Sequence, residues 1–522
     1  MPPAMGTARH PCNLGHATLR IGAGRINVAG MEREYELGHY DLAVIGGGVN
    51  GAAIARDATG RGLSVLLLER GDLAQGTSSA STKLIHGGLR YLEHREFALV
   101  AEALHEREVL WRQAPHIVWP MRFVLPIVPE GRPWWMLRTG LWLYDRIGAR
   151  KVLPPTTRVK LEGRMGLQPE VRRGYEYSDC WVDDARLVVL LARDAADRGA
   201  DVRTRCAVTK LTREGHLWGI EAGDETFHAA MTVNAAGPQV GQVMDTAHAP
   251  RPGLLRRVRG SHIVVPRLHD DPRALFLQLQ DGRVCFAIPW QYAFTLIGTT
   301  DSEEGADADP PQASEAEIAY LLNAANQYFR RSLKRTDVVH TFAGVRLLAD
   351  DGSGRPEAAT RGYRFDLDRG TDHHSAPLLT VLGGKITTHR TLAEAALERL
   401  GVMENAGWTA TAPLPGGDFT PDGLDEADNT APVEQEILAQ AQHLSRPTVH
   451  RLARAYGTEA LGFVRGDMGR HFGQGFTEAE LNHLTTREWA RTTDDVLWRR
   501  SKLGLWFSED EVAALGAALE VG

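Results

Sequence analysis

The chain has 522 residues, 43% of them apolar and 24% charged, with a formal net charge of −7. That length allows two or three domains with an ample core, and the charge carries no whole-chain signature of nucleic-acid binding. Four scattered cysteines (Cys12, Cys180, Cys206, Cys285) form no C-x-x-C pair, which argues against an iron–sulfur cluster and suits a reducing cytosol; no metal is expected. No apolar run approaches the roughly 18 residues of a spanning helix, so nothing is expected to cross a membrane.

Residues 1–30 are polar, with several arginines, and lack the apolar centre of a secretory signal. Residues 1–39 are therefore expected to be a disordered extension. Residues 1–30 should be dispensable, and Met31 is a candidate start of translation. Residues 40–45 then form a short apolar run that fits a buried parallel strand. Gly46, Gly48 and Gly51 follow as G-x-G-x-x-G: a tight turn, a close backbone approach to pyrophosphate, and close helix–strand packing. The helix that opens there points its N–H groups and dipole at the phosphates. A second apolar strand ends in Glu69, near the roughly 20-residue spacing of a ribose-binding carboxylate.

Residues 71–92 crowd Thr77, Ser78, Ser79, Ser81 and Thr82 with Lys83, His86, Arg90 and Tyr91. Directly after the ribose strand, this reads as a loop wrapping a phosphate-bearing cofactor. Residues 97–113 are expected to be an amphipathic helix. Residues 131–151 mix Trp134, Trp135, Trp142 and Tyr144 with Arg132, Arg138, Arg146, Arg150 and Lys151. That composition suits an interfacial membrane helix, and equally a packing helix with a solvated basic face. Asp183 and Asp184 are expected to cap a helix over 185–198, with strands to Val233 and a small-residue turn at Ala235-Ala236-Gly237. Strands are expected at 260–266, 284–289, 294–298, 342–346 and 379–385, and helices at 314–333 and 386–400. Residues 409–433, rich in Pro, Gly, Asp and Thr, read as a linker, and 434–522 as largely helical without β-rich runs.

The stretches 46–51, 77–92, 260–266, 298–301, 344–346, 383–388 and 494–503 together resemble the FAD-dependent glycerol-3-phosphate dehydrogenases of aerobic respiration. The resemblance spans about residues 40–508. Two small departures are Leu347, where the family commonly has proline, and His389, where tyrosine is usual. The resemblance implies non-covalent FAD and oxidation of sn-glycerol 3-phosphate to dihydroxyacetone phosphate. It also implies electron delivery to a membrane quinone by a cytoplasmic protein bound peripherally to the cytoplasmic membrane. A homodimer is a candidate assembly.

The implied fold is α/β: a Rossmann-like, doubly wound FAD-binding domain over 40–115, 175–259 and 336–400. A β-sheet substrate domain is inserted over 116–174 and 260–335, then a linker over 401–433 and an all-α cap over 434–522. By the same resemblance, Asn50, Gly87, Val208, Ala235, Gly237, Gly344, Gly384, Lys385 and Thr387 join the glycines, Glu69 and the hydroxyl loop with Lys83 as cofactor-binding residues. Arg90, Tyr91, Arg361 and Lys385 are assigned to the substrate phosphate, with Thr299 and His86 beside it. His262 is the candidate base, His86 the second candidate, and Arg346 the stabiliser of developing alkoxide charge. The alternatives are a glycerol-3-phosphate oxidase using oxygen, an amino-acid oxidase of similar fold, and a flavin-binding regulator without turnover.

Overall fold

Strand His39–Ile45 is apolar on both faces because it lies inside a sheet covered on both sides. The computed structural model describes residues 26–28, 31–33, 38–147, 152–250, 255–303, 311–349, 362–370, 375–420 and 429–521. Among them, an eight-stranded sheet has His39–Ile45 parallel to Val65–Leu68 on one side and to Glu225–Asn234 on the other. Ile45 is therefore paired with Asn234, and two glycine-containing turns leave the sheet side by side. The helices Val49–Gly60, Asp184–Asp197 and His389–Leu400 pack as one layer on this sheet. Asp183 caps the second of them, its side chain accepting from the Arg186 amide as expected. Asp184 instead turns inward as a buried acid.

A ten-stranded sheet, counted among the described residues, stands beside the first. Its strands Leu255–Pro266 and His340–Ala349 run antiparallel, with Gly260 opposite Gly344 and His262 opposite Phe342. One face packs on helix Glu315–Asn326, the other on helices Phe97–Gln113 and Trp134–Arg146. The expected domain bounds shift here. Strands Arg173–Val182 and His340–Ala349, assigned to the FAD-binding domain from sequence, belong to this second sheet. Sheet membership depends on non-local pairing, which a linear reading does not carry.

The 401–433 stretch is only partly a linker. The guanidinium groups of Arg56 and Arg198 lie 4.9 and 4.3 Å from the Trp408 ring centroid, and Trp408 donates to the Asp57 carbonyl. Beyond it the C-terminal helices enclose their own core around Leu452, Tyr456, Phe476 and Leu484. They include a short hairpin, His471–Gly473 with Phe476–Thr477, that the sequence reading did not expect. Within the N-terminal extension, Ile26–Val28 pairs with Met31–Arg33; the expectation of disorder falls mostly on residues outside the described ones. No helix among the described residues is long and apolar enough to cross a membrane.

Candidate active site

A cavity of about 1070 Å³ opens where the two sheets meet. Its first end is made by the two turns leaving the parallel strands. Gly46 has φ +114°, and a Cβ there would stand 2.6 Å from the Ala235 carbonyl oxygen. A Cβ on Gly51 would run into the Gly46 carbonyl, so Gly51 is needed for packing and does not line the cavity. Gly48, Ala235, Gly237 and Val208 do line it. Glu69 accepts hydrogen bonds from the Gly47 and Gly71 amides at 2.6 and 2.8 Å, while burial raises its carboxyl pKa.

The hydroxyl loop divides in two. Thr77, Ser78, Ser81 and Thr82 reach the cavity wall, as do Asn50, Gly344, Gly384 and Thr387. Thr77 donates to the Val345 carbonyl and so ties this loop to the second sheet. Ser78 accepts from the Val49 amide, and Asn50 donates to the Gly383 carbonyl. Ser79 and Lys83 stand apart from the cavity, against expectation. The Lys83 ammonium is buried, 2.6 Å from Asp184 Oδ1 and 3.0 Å from the Ser79 carbonyl. Asp184 also accepts from the Ser81 hydroxyl, so the pair pins the loop from behind. Gly87 is likewise behind the wall: its amide donates to the Tyr144 hydroxyl, which donates to Asp179, the ion-pair partner of Arg107.

The other end of the cavity is cationic. Arg90, Tyr91, Lys385, His86, His262, Thr299 and Arg346 all line it. The Lys385 ammonium lies 4.0 Å above the Tyr91 ring centroid. Arg346 pairs with Asp301, which also lines the cavity and was not assigned a role from sequence, although it closes the quoted 298–301 stretch. Arg361 lies outside the described residues. Behind this end, Glu317 accepts from Ser261 Oγ, Thr300 Oγ1 and Arg259, holding the strand that carries His262.

His262 is buried and stacked on Phe342 at 4.8 Å, its Nε2 3.0 Å from Thr82 Oγ1. Its Nδ1 has no hydrogen-bond partner among the described residues. Burial, reinforced by Lys83 and Arg346, lowers its pKa to about 3, so the ring is neutral near neutral pH and a weak base until a negative charge comes close to it. Burial also lowers the pKa of His86.

Burial likewise drives His116 to about 3 and His340 and His389 to about 4. In the unfolded chain each titrates near about 6.5. Between that value and about 3 the unfolded state binds protons that the folded state refuses, so stability falls as pH drops through this window. Urea melts should therefore give lower stability at pH ~5 than at pH ~7.5. His116, whose two ring nitrogens lack partners among the described residues, should account for part of that loss. A His116→Leu protein with the same pH dependence as wild type would exclude it.

The glycine cradle, the carboxylate of Glu69 and the hydroxyl loop fit a dinucleotide lying along the cavity. Comparisons with known proteins give the family. Residues 41–390 match the model of a family described as FAD dependent oxidoreductase. The chain belongs to the FAD-dependent oxidoreductases. Residues 408–521 match a second model, the C-terminal domain of alpha-glycerophosphate oxidase. The chain is 48% identical to the aerobic glycerol-3-phosphate dehydrogenase of Escherichia coli (strain K12), over 90% of this chain and 95% of that one. It is equally 48% identical to the D-erythritol 1-phosphate dehydrogenase of Brucella abortus (strain 2308), over 91% and 96%. Its fold is similar to the structure of the glycerol-3-phosphate dehydrogenase from Bacillus halodurans complexed with FAD, with TM-score 0.69, 25% identity and coverage of 92% and 94%. FAD is the cofactor of this family, and the fold is the FAD-binding α/β fold with a C-terminal helical domain. Among the described residues no cluster of side chains could hold a metal ion.

Proposed function

We propose that this oxidoreductase converts sn-glycerol 3-phosphate to dihydroxyacetone phosphate and passes the electrons to a membrane quinone. The carrying observation is that Arg90, Lys385 and Arg346 converge with His262 at one end of a cavity whose other end suits FAD. A phosphate monoester carries nearly two negative charges, and guanidinium forks with an ammonium suit it. Bound FAD supplies the acceptor for the hydride from C2. His262 takes the hydroxyl proton, and the charge of the arriving phosphate raises the basicity of its ring. Arg346, released from Asp301, holds the developing alkoxide charge. Anaerobic addition of glycerol 3-phosphate to the FAD-loaded protein should bleach the flavin absorbance. Flavin that stays oxidised would reject the substrate.

The similarity to a D-erythritol 1-phosphate dehydrogenase supports a second reading, in which the same cations hold the phosphate of a four-carbon polyol. Comparing kcat/KM for the two substrates decides between them.

Two features support a membrane-borne acceptor. Helix Trp134–Arg146 buries Leu137, Leu141 and Tyr144 and leaves Trp134, Trp135 and Trp142 exposed at 48%, 59% and 53%. Its aromatic side chains are thus displayed beside the exposed Arg138 and Arg146, as at a lipid–water boundary. Beneath it a cavity of about 380 Å³, walled by Leu89, Leu92, Leu125, Met136 and Phe276, shares Arg90 with the main cavity. Trp134→Ser with Trp135→Ser should reduce co-sedimentation with anionic liposomes and quinone-coupled turnover, while soluble-dye activity survives. Each basic residue contributes about 1 kcal/mol at such a surface, so Arg138→Glu with Arg146→Glu should do the same and be mimicked by salt. Unchanged sedimentation of a dye-active double mutant would put the contact elsewhere. Peroxide release without quinone would favour the oxidase reading.

A further inference from the structure

The C-terminal helices touch the cofactor end of the molecule through one buried ionic seam. Asp72 stands three positions after Glu69, at the root of the loop whose Gly71, Gln75, Gly76, Thr77 and Ser78 line the cavity. Its buried carboxylate accepts from Arg500 Nη1 and Nη2 at 2.7 and 2.8 Å and from Arg499 Nε at 2.5 Å. The same loop is held from its other side. The Gly71 carbonyl accepts from the Arg205 amide at 2.8 Å, and the Arg205 guanidinium pairs with Asp495. Arg499 also pairs with Asp495. One six-residue segment, Asp495–Arg500, thus grips the loop at two points. The segment is itself anchored: Arg500 donates to the Glu488 carbonyl, and Glu488 pairs with the buried Arg186 of helix Asp184–Asp197.

The loop matters because the Gly71 amide and Glu69 sit at the cradle's edge, 2.8 Å apart, where a ribose would meet the protein. If Asp72 is loosened, this edge loses its fixed shape and ordering it falls to the ligand, which weakens binding.

We propose that the C-terminal domain sets the affinity for FAD, with Arg499 and Arg500 acting as positioning residues on Asp72. Docking of the segment and capture of the cofactor are then reciprocally coupled: each favours the other by the same factor. Because the seam lies at the ribose edge and not at the hydride-accepting end, the coupling acts on the adenosine half of the ligand.

The test uses full-length apoprotein titrated with FAD and, separately, with ADP. Arg500→Gln should raise both dissociation constants by the same factor, about tenfold or more, the size expected for loss of a charge-assisted contact. The midpoint potential of the flavin, once bound, should stay at the wild-type value. Arg499→Gln and Arg205→Gln, whose side chains are 15% and 34% exposed, give a milder version in proteins that lose less buried pairing. A purely structural role would lower the unfolding temperature and leave both dissociation constants of the folded protein unchanged. Constants within twofold of wild type in folded Arg499→Gln and Arg205→Gln, or a loss seen with FAD and absent with ADP, would overturn the proposal.

Discussion

Replacing His262 with alanine is expected to slow flavin reduction by about 10²–10⁴-fold, the usual cost of losing a general base. Substrate binding should change far less, because the phosphate is held by other groups. The expectation rests on a buried neutral ring that lines the cavity, is oriented by Phe342 on one face and contacts Thr82 through Nε2. Rapid mixing of the FAD-loaded variant with glycerol 3-phosphate separates the two effects. The half-saturating substrate concentration of the observed rate reports binding, and the limiting rate reports chemistry. A wild-type limiting rate would remove His262 from the role and turn the test to His86, which lines the same cavity. Thr82→Val is a useful companion, since it keeps the ring and removes its Nε2 partner.

The second large effect is expected at Arg90. A charge-assisted hydrogen bond contributes roughly 1.5–3 kcal/mol, so Arg90→Ala should lower kcat/KM by about tenfold to over a hundredfold. The loss should be much smaller with glycerol, which has no phosphate to recognise. Because Arg90 also borders the smaller cavity under the tryptophan helix, the comparison belongs with a soluble dye as acceptor. An equal proportional loss on both substrates would show that Arg90 supports the loop instead of reading the phosphate.

What could be read from the chain was what is local. The glycine fingerprint, the Glu69 spacing, the Asp183 cap and helix Phe97–Gln113 each depend on neighbours within a few turns, and each was legible. The amphipathic character of 131–151 was legible too, but which face it buried was not, since Leu137, Leu141 and Tyr144 find their partners on distant strands. Lys83 sits among hydroxyl residues and so reads as a cofactor ligand, whereas its charge is met by Asp184, 101 positions away. Arg346, singled out by its glycine-flanked motif, lines the cavity, and its partner Asp301, 45 positions upstream, carries no such local signal. Trp408 reads as linker from sequence because its cation partners lie far upstream, Arg56 in helix Val49–Gly60 and Arg198 just past helix Asp184–Asp197.

The seam between Asp72 and Arg500 joins residues 428 positions apart, and Thr77 reaches Val345 across 268. During synthesis, then, the fingerprint leaves the ribosome first and waits. At roughly 5–20 residues per second, about 20–90 s separate the emergence of the glycine turn from that of the arginines that lock its loop. A nascent chain stalled before residue 495 carries the first glycine cradle and the Lys83–Asp184 and Thr77–Val345 contacts, and lacks the arginines that pair with Asp72. Under the proposed coupling, full-affinity capture of the cofactor follows the synthesis of the Asp495–Arg500 segment and so comes late in the making of each molecule.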